Sequence, residues 1–449
     1  MKLNNKLVIF VGFAFFLICA FWQAYDNIVP LILTNKFGMN QAWSGVIMAL
    51  DNVLALFMLP LFGALSDKTH TRLGRRTPYI IGGAAAAIIG LQVLAVADKL
   101  QVENLTKYGS AAAATAADKG PLLFFIAVLL FVLIAMSVFR SPAVALMPDV
   151  TIKPLRSKAN AIINLMGTAG GLCVLVLGIL FGTGKSENAS MSYMIYFGCI
   201  GGLMLLALAI FLWKVREPRF AKEMEAESAR WGIDDGTAHE NGSGSRKLSP
   251  EERKSLLLIL ASVVLWFFGY NAVTSKFSVY STNVLGLDFN ANLTIATVAA
   301  VIAYLPVGLI ASRIGRKKTI LAGIVILGVS FGVASFIRSG SSPIIMDVLF
   351  ALAGIGWATI NVNSYPMVVE LARGGDVGKY TGYYYTASMA AQMVTPILSG
   401  LLLDVNMLTL FPYGCIFVLL AFVTMSFVKH GDSKPVAAKG VEALDVDVD

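Results

Sequence analysis

Two aspartates, Asp26 and Asp51, stand inside long apolar stretches, each about seven or eight residues from one end of its stretch. A carboxylate in the middle of a bilayer costs about 2.5–3.5 kcal/mol on insertion scales, so it must face a protein interior and find a partner there. Acids placed in this way serve proton relays, ion sites and the hydroxyls of a polar ligand. Tyr25, Asn27 and Asn52 lie beside them and extend their polar reach. Arg140 is the one base within its own apolar stretch, about two turns before Asp149. Its planar fork suits an acid or a set of hydroxyls, although its stem would also let it snorkel to the membrane surface. Lys276 is a point charge that pairs with an acid, contacts a ligand, or sits in an outer vestibule if its helix ends soon after it.

The elements that must hold these groups follow from composition. The chain has 449 residues, of which 57% are hydrophobic and 14% charged, with a mean hydropathy of +0.73. Soluble domains carry about 25% charged residues, so so apolar a chain needs lipid as its solvent. Lipid leaves only helices or a closed barrel. Runs such as Leu122–Phe139 and Ile200–Trp213 are apolar without alternation, which predicts helices. Twelve spans are expected, near 7–33, 43–65, 78–98, 121–148, 159–181, 191–213, 255–283, 291–312, 319–337, 343–369, 379–403 and 408–428. Of the 35 Lys and Arg, about 27 fall on the side of the termini, 6 opposite and 2 within spans. The positive-inside rule then places both termini in the cytosol. The first span is too long, and too polar at its end, for a cleaved signal.

The chain repeats itself. An apolar stretch with Pro60 and Gly63 runs into the basic turn Arg72-Leu73-Gly74-Arg75-Arg76, and Pro306 and Gly308 run into Arg313-Ile314-Gly315-Arg316-Lys317-Lys318. The two prolines are 246 residues apart. Aligning Gly38 with Gly286 sets Asp26 opposite Thr274, two positions from Lys276; aligning the prolines sets Asp51 opposite Thr297. The fourth and tenth spans both end in an acid, Asp149 and Glu370. Two related six-helix halves are expected, 1–213 and 255–428. Between them lies a cytosolic linker, 214–254, and a disordered tail follows at 429–449. Ser249-Pro250-Glu251-Glu252 predicts a capped helix start. The stretch 99–120 is expected as an outer loop.

The string Gly63-x-x-Ser66-Asp67-x4-Arg72-x-Gly74-Arg75-Arg76-x-Pro78 resembles the loop motif between the second and third helices of major facilitator transporters. Its long spacing is similar to that of the glycoside–pentoside–hexuronide:cation symporters and the sucrose transporters. Ala42-Trp43-Ser44, Ser141-Pro142-Ala143-x-Ala145-Leu146-x-x-Asp149, Gln392-Met393 and Ser399-Gly400 add to the resemblance, which covers nearly the whole chain outside the linker. It implies two pseudo-symmetric bundles with the first, fourth, seventh and tenth helices lining a path. It also implies a cytoplasmic latch of Asp67, Arg72, Arg75, Arg76 and Asp149, with Arg313, Arg316 and Glu370 in the second half. Plant sucrose transporters keep an acid inside the fourth helix; the aligned residue here is Leu133, which leaves Asp26 and Asp51 as the coupling candidates.

The expected function is therefore import of a neutral glycoside, a disaccharide first, together with a proton; sodium, uniport and export are the alternatives. Asp26 and Asp51 carry coupling. Asp26, Asn27, Tyr25, Asn52, Arg140, Asn271, Lys276, Trp357, Asn361 and Gln392 bind the sugar, through the mixture of aromatic faces and amides that sugars require. A monomer in the cell membrane is expected, without nucleic acid, cofactor or metal: Cys19, Cys173, Cys199 and Cys415 are scattered in spans, and His70, His239 and His430 lie outside them. Two other classes are alternatives. A sugar sensor on a transporter fold would bind without flux. An intramembrane aspartyl protease would use two acids on adjacent spans, but its Gly-x-Gly-Asp partner is missing.

Overall fold

The structure, a computed structural model, describes residues 3–152, 155–230, 248–369, 371 and 377–431. In chain order its helices are α1 (Asn5–Leu31), α2 (Gln41–Lys68), α3 (Thr77–Tyr108), α4 (Ala111–Ala117), α5 (Gly120–Asp149), α6 (Arg156–Phe181) and α7 (Met194–Lys214). They continue as α8 (Glu217–Arg230), α9 (Pro250–Tyr280), α10 (Phe289–Ile314), α11 (Arg316–Ala334), α12 (Pro343–Val369), α13 (Val377–Val405) and α14 (Leu410–Ser426). Eleven are long and apolar enough to cross a bilayer, and α10, apolar over Phe289–Tyr304, takes the place of the twelfth. There is no strand among the described residues. Large apolar side chains face outward along these helices, among them Phe57, Leu180 and Ile195. Water would penalise that surface at roughly 25 cal/mol per Å², whereas lipid does not. The chain is a multi-pass, all-helical membrane protein.

It forms two compact units. One comprises Met1–Asn40 with Leu50–Asp235, the other Gln41–Ala49 with Gly236–Asp449. The boundary therefore falls inside α2, whose first nine residues, Gln41–Ala49, pack with the second unit. Each unit repeats the other's internal plan. In the first, α1 packs on α6 and α7 while α3 packs on α5 and α7. In the second, α9 packs on α13 and α14 while α11 packs on α12 and α14. Local detail repeats too: α1 and α9 each run on through a π-helical turn, Ile32–Lys36 and Ser281–Leu285. Each turn closes near a left-handed glycine, Gly38 at φ 67° and Gly286 at φ 69°.

Capping chemistry sets the helix starts. The Asn4 side chain accepts from Leu7 N at 3.2 Å, and Ser249 with Glu252 forms the expected capping box ahead of Pro250. Two expectations change. The third span does not end near 98 but runs to Tyr108, because Asp98 is neutralised inside the unit by Lys36 and so does not stop the helix. The 99–120 stretch is then mostly helical, the end of α3 followed by α4. The first part of the expected linker is α8; residues 231–247 and the tail from 432 lie outside the described residues.

Candidate functional site

In the first unit, α1 turns almost every side chain inward, and Asp26 is its only exposed residue between Phe10 and Leu31. Tyr25 is buried beside it and packs edge-on against Trp22, ring centroids 5.3 Å apart. Asn27 is also buried, its amide spent on the Gln23 carbonyl at 2.8 Å, so it braces α1 and does not extend the reach of Asp26. Asp51 of α2 is half-buried and accepts from Asn52 Nδ2 at 2.8 Å. Arg140 of α5 lies with its guanidinium 5.8 Å from the Trp22 ring centroid, near enough for a cation–π contact. Asp26 feels the charges of both Asp51 and Arg140, and Asp51 feels that of Arg140. Three of the predicted groups, from α1, α2 and α5, thus gather into one electrostatic cluster. Two carboxyl groups and one guanidinium interact there, an arrangement that can take up a proton or a cation.

The second unit holds an aromatic wall. Tyr270 of α9 and Trp357 of α12 stack with centroids 3.7 Å apart and planes 2° from parallel, and Phe267 meets Trp357 edge-on at 5.2 Å. Asn271 Nδ2 is buried there without a hydrogen-bond partner. Asn361 and Gln392 are half-buried on α12 and α13. Lys276 goes elsewhere. It lies wholly buried, and α9 continues past it, so the outer-vestibule reading does not apply. Its ammonium donates to the Gln41 carbonyl at 2.9 Å.

The basic turn after α2 is a worked knot. Arg76 pairs with Asp67, and its Nε reaches Asp149 Oδ2 at 2.8 Å. Arg75 grips Asp149 with two nitrogens at 2.6 and 3.2 Å. Burial alone would lower the pKa of the Arg76 guanidinium, but Asp149 and Asp67 outweigh it and raise the value above that of an ordinary arginine. Arg72 is exposed at the turn. In the second unit Arg313 is exposed and Arg316 half-buried, Lys317 donates to the carbonyls of Ser426 and Val428 at 2.9 and 2.6 Å, and Glu370 lies outside the described residues.

Sequence reasoning missed Glu217. At the head of α8, its buried carboxylate accepts from the backbone N–H groups of Arg75 at 2.7 Å, Arg76 at 2.9 Å and Thr77 at 2.8 Å, and from Thr77 Oγ1 at 2.6 Å. It caps α3 from 140 residues away. Gly74 makes room: at φ +113° a Cβ there would stand 2.3 Å from Glu217 Cδ. The one sequence signal is a glutamate before a proline at a helix start, which names no partner. Sequence reasoning also missed Asp98. Lys36 and Asp98 pair with no exposure, Lys36 donates to the Met191 carbonyl at 2.6 Å and lies 3.7 Å over the Tyr193 ring, and Asp98 accepts from Tyr193 N at 2.8 Å.

Comparisons with known proteins agree with this architecture. Over 98% of this chain and 99% of the other, the fold is similar to that of the inward-open xylose transporter XylE from E. coli, with a TM-score of 0.65 at 16% identity. It is also similar to a bacterial homologue of the iron transporter ferroportin, with a TM-score of 0.66 at 14% identity over 96% and 100% of the two chains. At these identities the likeness is one of fold. Among curated proteins, an uncharacterized MFS-type transporter of Methanocaldococcus jannaschii is 27% identical over 125 residues, 28% of this chain and 30% of that one. An uncharacterized symporter of Synechocystis sp. is 22% identical over 183 residues, 40% and 31% of the two chains. The sucrose transport protein SUC4 of Arabidopsis thaliana is 37% identical over 59 residues, 13% and 12%. The chain thus spans less than a third of the length of each of these relatives. A family model, described as MFS/sugar transport protein, matches residues 10–405. With that match over most of its length, on a fold of two repeated helical units, the chain belongs to the MFS/sugar transport protein family, one of transporters and not of enzymes.

Proposed function

We propose that this transporter imports a neutral glycoside, a disaccharide in the first instance, together with a proton. The observation that carries the reading is the cluster of Asp26, Asp51 and Arg140 on three helices of the first unit, with Asp26 the one exposed side chain of α1 between Phe10 and Leu31. Asp26, with Tyr25 and Trp22 beside it, binds sugar hydroxyls. Asp51, braced by Asn52, carries the coupling cation. In the second unit, Trp357, Asn271, Asn361 and Gln392 offer a sugar an apolar ring face and amides. A proton is favoured over sodium because the two nominated acids suffice for a proton, whereas sodium needs a wider shell of oxygens. Two relatives' names, a symporter and a sucrose transport protein, support symport and a disaccharide. Lys276, committed to Gln41, leaves Arg140 as the one nominated base able to meet an anionic glycoside, which favours neutral cargo. The positive-inside rule places the basic turns and both termini in the cytosol.

The test uses purified protein in vesicles, with sugar uptake measured under an imposed proton or sodium gradient. Asp51→Asn should abolish gradient-driven accumulation and leave sugar exchange largely intact, since exchange requires no net release of the ion. Asp26→Asn should weaken sugar binding itself. Accumulation by both variants at the parent's level would show that these acids are structural. Equilibration without accumulation in the parent would make the protein a uniporter, and exclusive binding of acidic sugars would reverse the choice of cargo.

A further inference from the structure

We propose that Asp404 and Lys276 form a releasable clasp on the first turn of α2, and that opening this clasp frees the segment leading to Asp51 during transport. The inference rests on the transport reading above. The first turn of α2 leaves backbone N–H groups without partners inside the helix. Asp404, at the far end of α13, supplies acceptors: one carboxylate oxygen takes Gln41 N at 2.6 Å and the other takes Ala42 N at 2.9 Å. Lys276 of α9 takes the other side of the same residue, donating to the Gln41 carbonyl at 2.9 Å. It lies within electrostatic reach of Asp404. Gln41 is thus held at both its N–H and its C=O by opposite charges from two helices, and all of these contacts lie inside the second unit.

The placement of Asp404 is unfavourable on its own helix. A carboxylate in the last turn of α13 faces the negative end of that helix dipole, whereas the start of α2 offers a positive one. The residue is therefore matched to a partner in another helix. Backbone contact supports the same grip. A Cβ on Gly45 would stand 2.1 Å from the Pro396 carbonyl oxygen, and one on Gly400 would stand 2.4 Å from that of Gln41. α2 and α13 therefore meet backbone to backbone over one turn on each side.

The comparison with Lys36 and Asp98 shows why one contact is permanent and the other releasable. Lys36 and Asp98 are wholly buried and surrounded by further hydrogen-bond partners. Parting them would strand two charges in a dry interior. Asp404 is exposed even while it caps α2. Water can replace its two bonds as they break, so the Asp404 arm of the clasp opens at low cost, and the wholly buried Lys276 sets the larger part of the opening cost. What it releases is specific: Gln41–Ala49 is the part of α2 that packs in the second unit, and Asp51 follows two residues later in the first.

The test replaces Cys19, Cys173, Cys199 and Cys415 with alanine and introduces Ser44→Cys at a fully buried position one turn from Gln41. A membrane-impermeant maleimide is applied to sealed cells, on the face opposite the basic turns. Asp404→Asn and Lys276→Met should each speed labelling of residue 44, with Asp404→Ala giving about tenfold, the effect of losing a helix cap. The milder Asn substitution keeps one acceptor and guards against misfolding, which would show instead as loss of the monodisperse peak of the purified variant. Unchanged labelling in Asp404→Asn, Asp404→Ala and Lys276→Met overturns the clasp, as does equal acceleration from the cytosolic face. Faster labelling in these variants of a parent that moves no sugar upholds the clasp and overturns the transport reading.

Discussion

Replacing Glu217 by alanine should loosen the start of α3 without disturbing the rest of the first unit. The side chain accepts four hydrogen bonds, three from consecutive backbone N–H groups and one from the Thr77 hydroxyl. It is buried at 3% exposure, so water does not take its place. Loss of an N-cap costs about 0.5–2 kcal/mol. A partly buried anion at a helix N-terminus contributes up to about 2 kcal/mol. The two figures describe overlapping physics, so about 2 kcal/mol is the sound expectation for the local opening equilibrium. At 1.4 kcal/mol per factor of ten, that is about a 30-fold loss of protection. The assay is amide hydrogen exchange in detergent micelles or nanodiscs, followed on peptides covering the turn and the head of α3. Glu217→Gln, which keeps one acceptor and loses the charge, should lose about half as much free energy, near fivefold. Gly74→Ala should copy Glu217→Ala at the same amides, because its Cβ would occupy the place of the Glu217 carboxyl. Unchanged exchange at these amides in Glu217→Ala would refute the cap. Acceleration spread evenly over α1 to α7 would mean that Glu217 supports the unit as a whole and not this one turn.

Two further outcomes follow from the packing. Asp98→Leu or Lys36→Met alone should destabilise the first unit by about 3–5 kcal/mol, since each strands a buried charge, while the pair of substitutions together should recover most of the loss. Thermal unfolding in detergent, run as a double-mutant cycle, checks this; additive losses would show that the two charges do not depend on each other. Trp357→Ala should weaken sugar binding by about 1.5–3 kcal/mol, roughly 10–150-fold, with Trp357→Phe much milder. Equilibrium binding to detergent-purified protein measures it, and an unchanged affinity would remove Trp357 from the site.

Much of this molecule is written in local composition. Apolar runs without alternation can only be helices in lipid, so the number and order of the spans follow from the residues alone. Basic turns and proline spacing expose the duplication because they recur at one interval, and the capping box at Ser249 needs only its own four residues. Asp26 and Asp51 stand out because a charge in an apolar run is costly wherever the chain goes next. What the residues did not disclose are the partners. Lys36 and Asp98, 62 positions apart, cancel each other only after the π-helical turn that follows α1 packs on α3, which is why α3 passes through a charge that should have ended it. Glu217 finds α3, and Asp404 finds α2, across 140 and 363 positions. Lys276 reads in sequence as a point charge for an acid, a ligand or an outer vestibule; in the structure it donates to a backbone carbonyl. Hydrophobicity acts through each residue's own transfer free energy and is therefore legible one position at a time. A hydrogen bond or ion pair belongs to two residues and to the geometry that joins them, and that geometry exists only once the helices have packed.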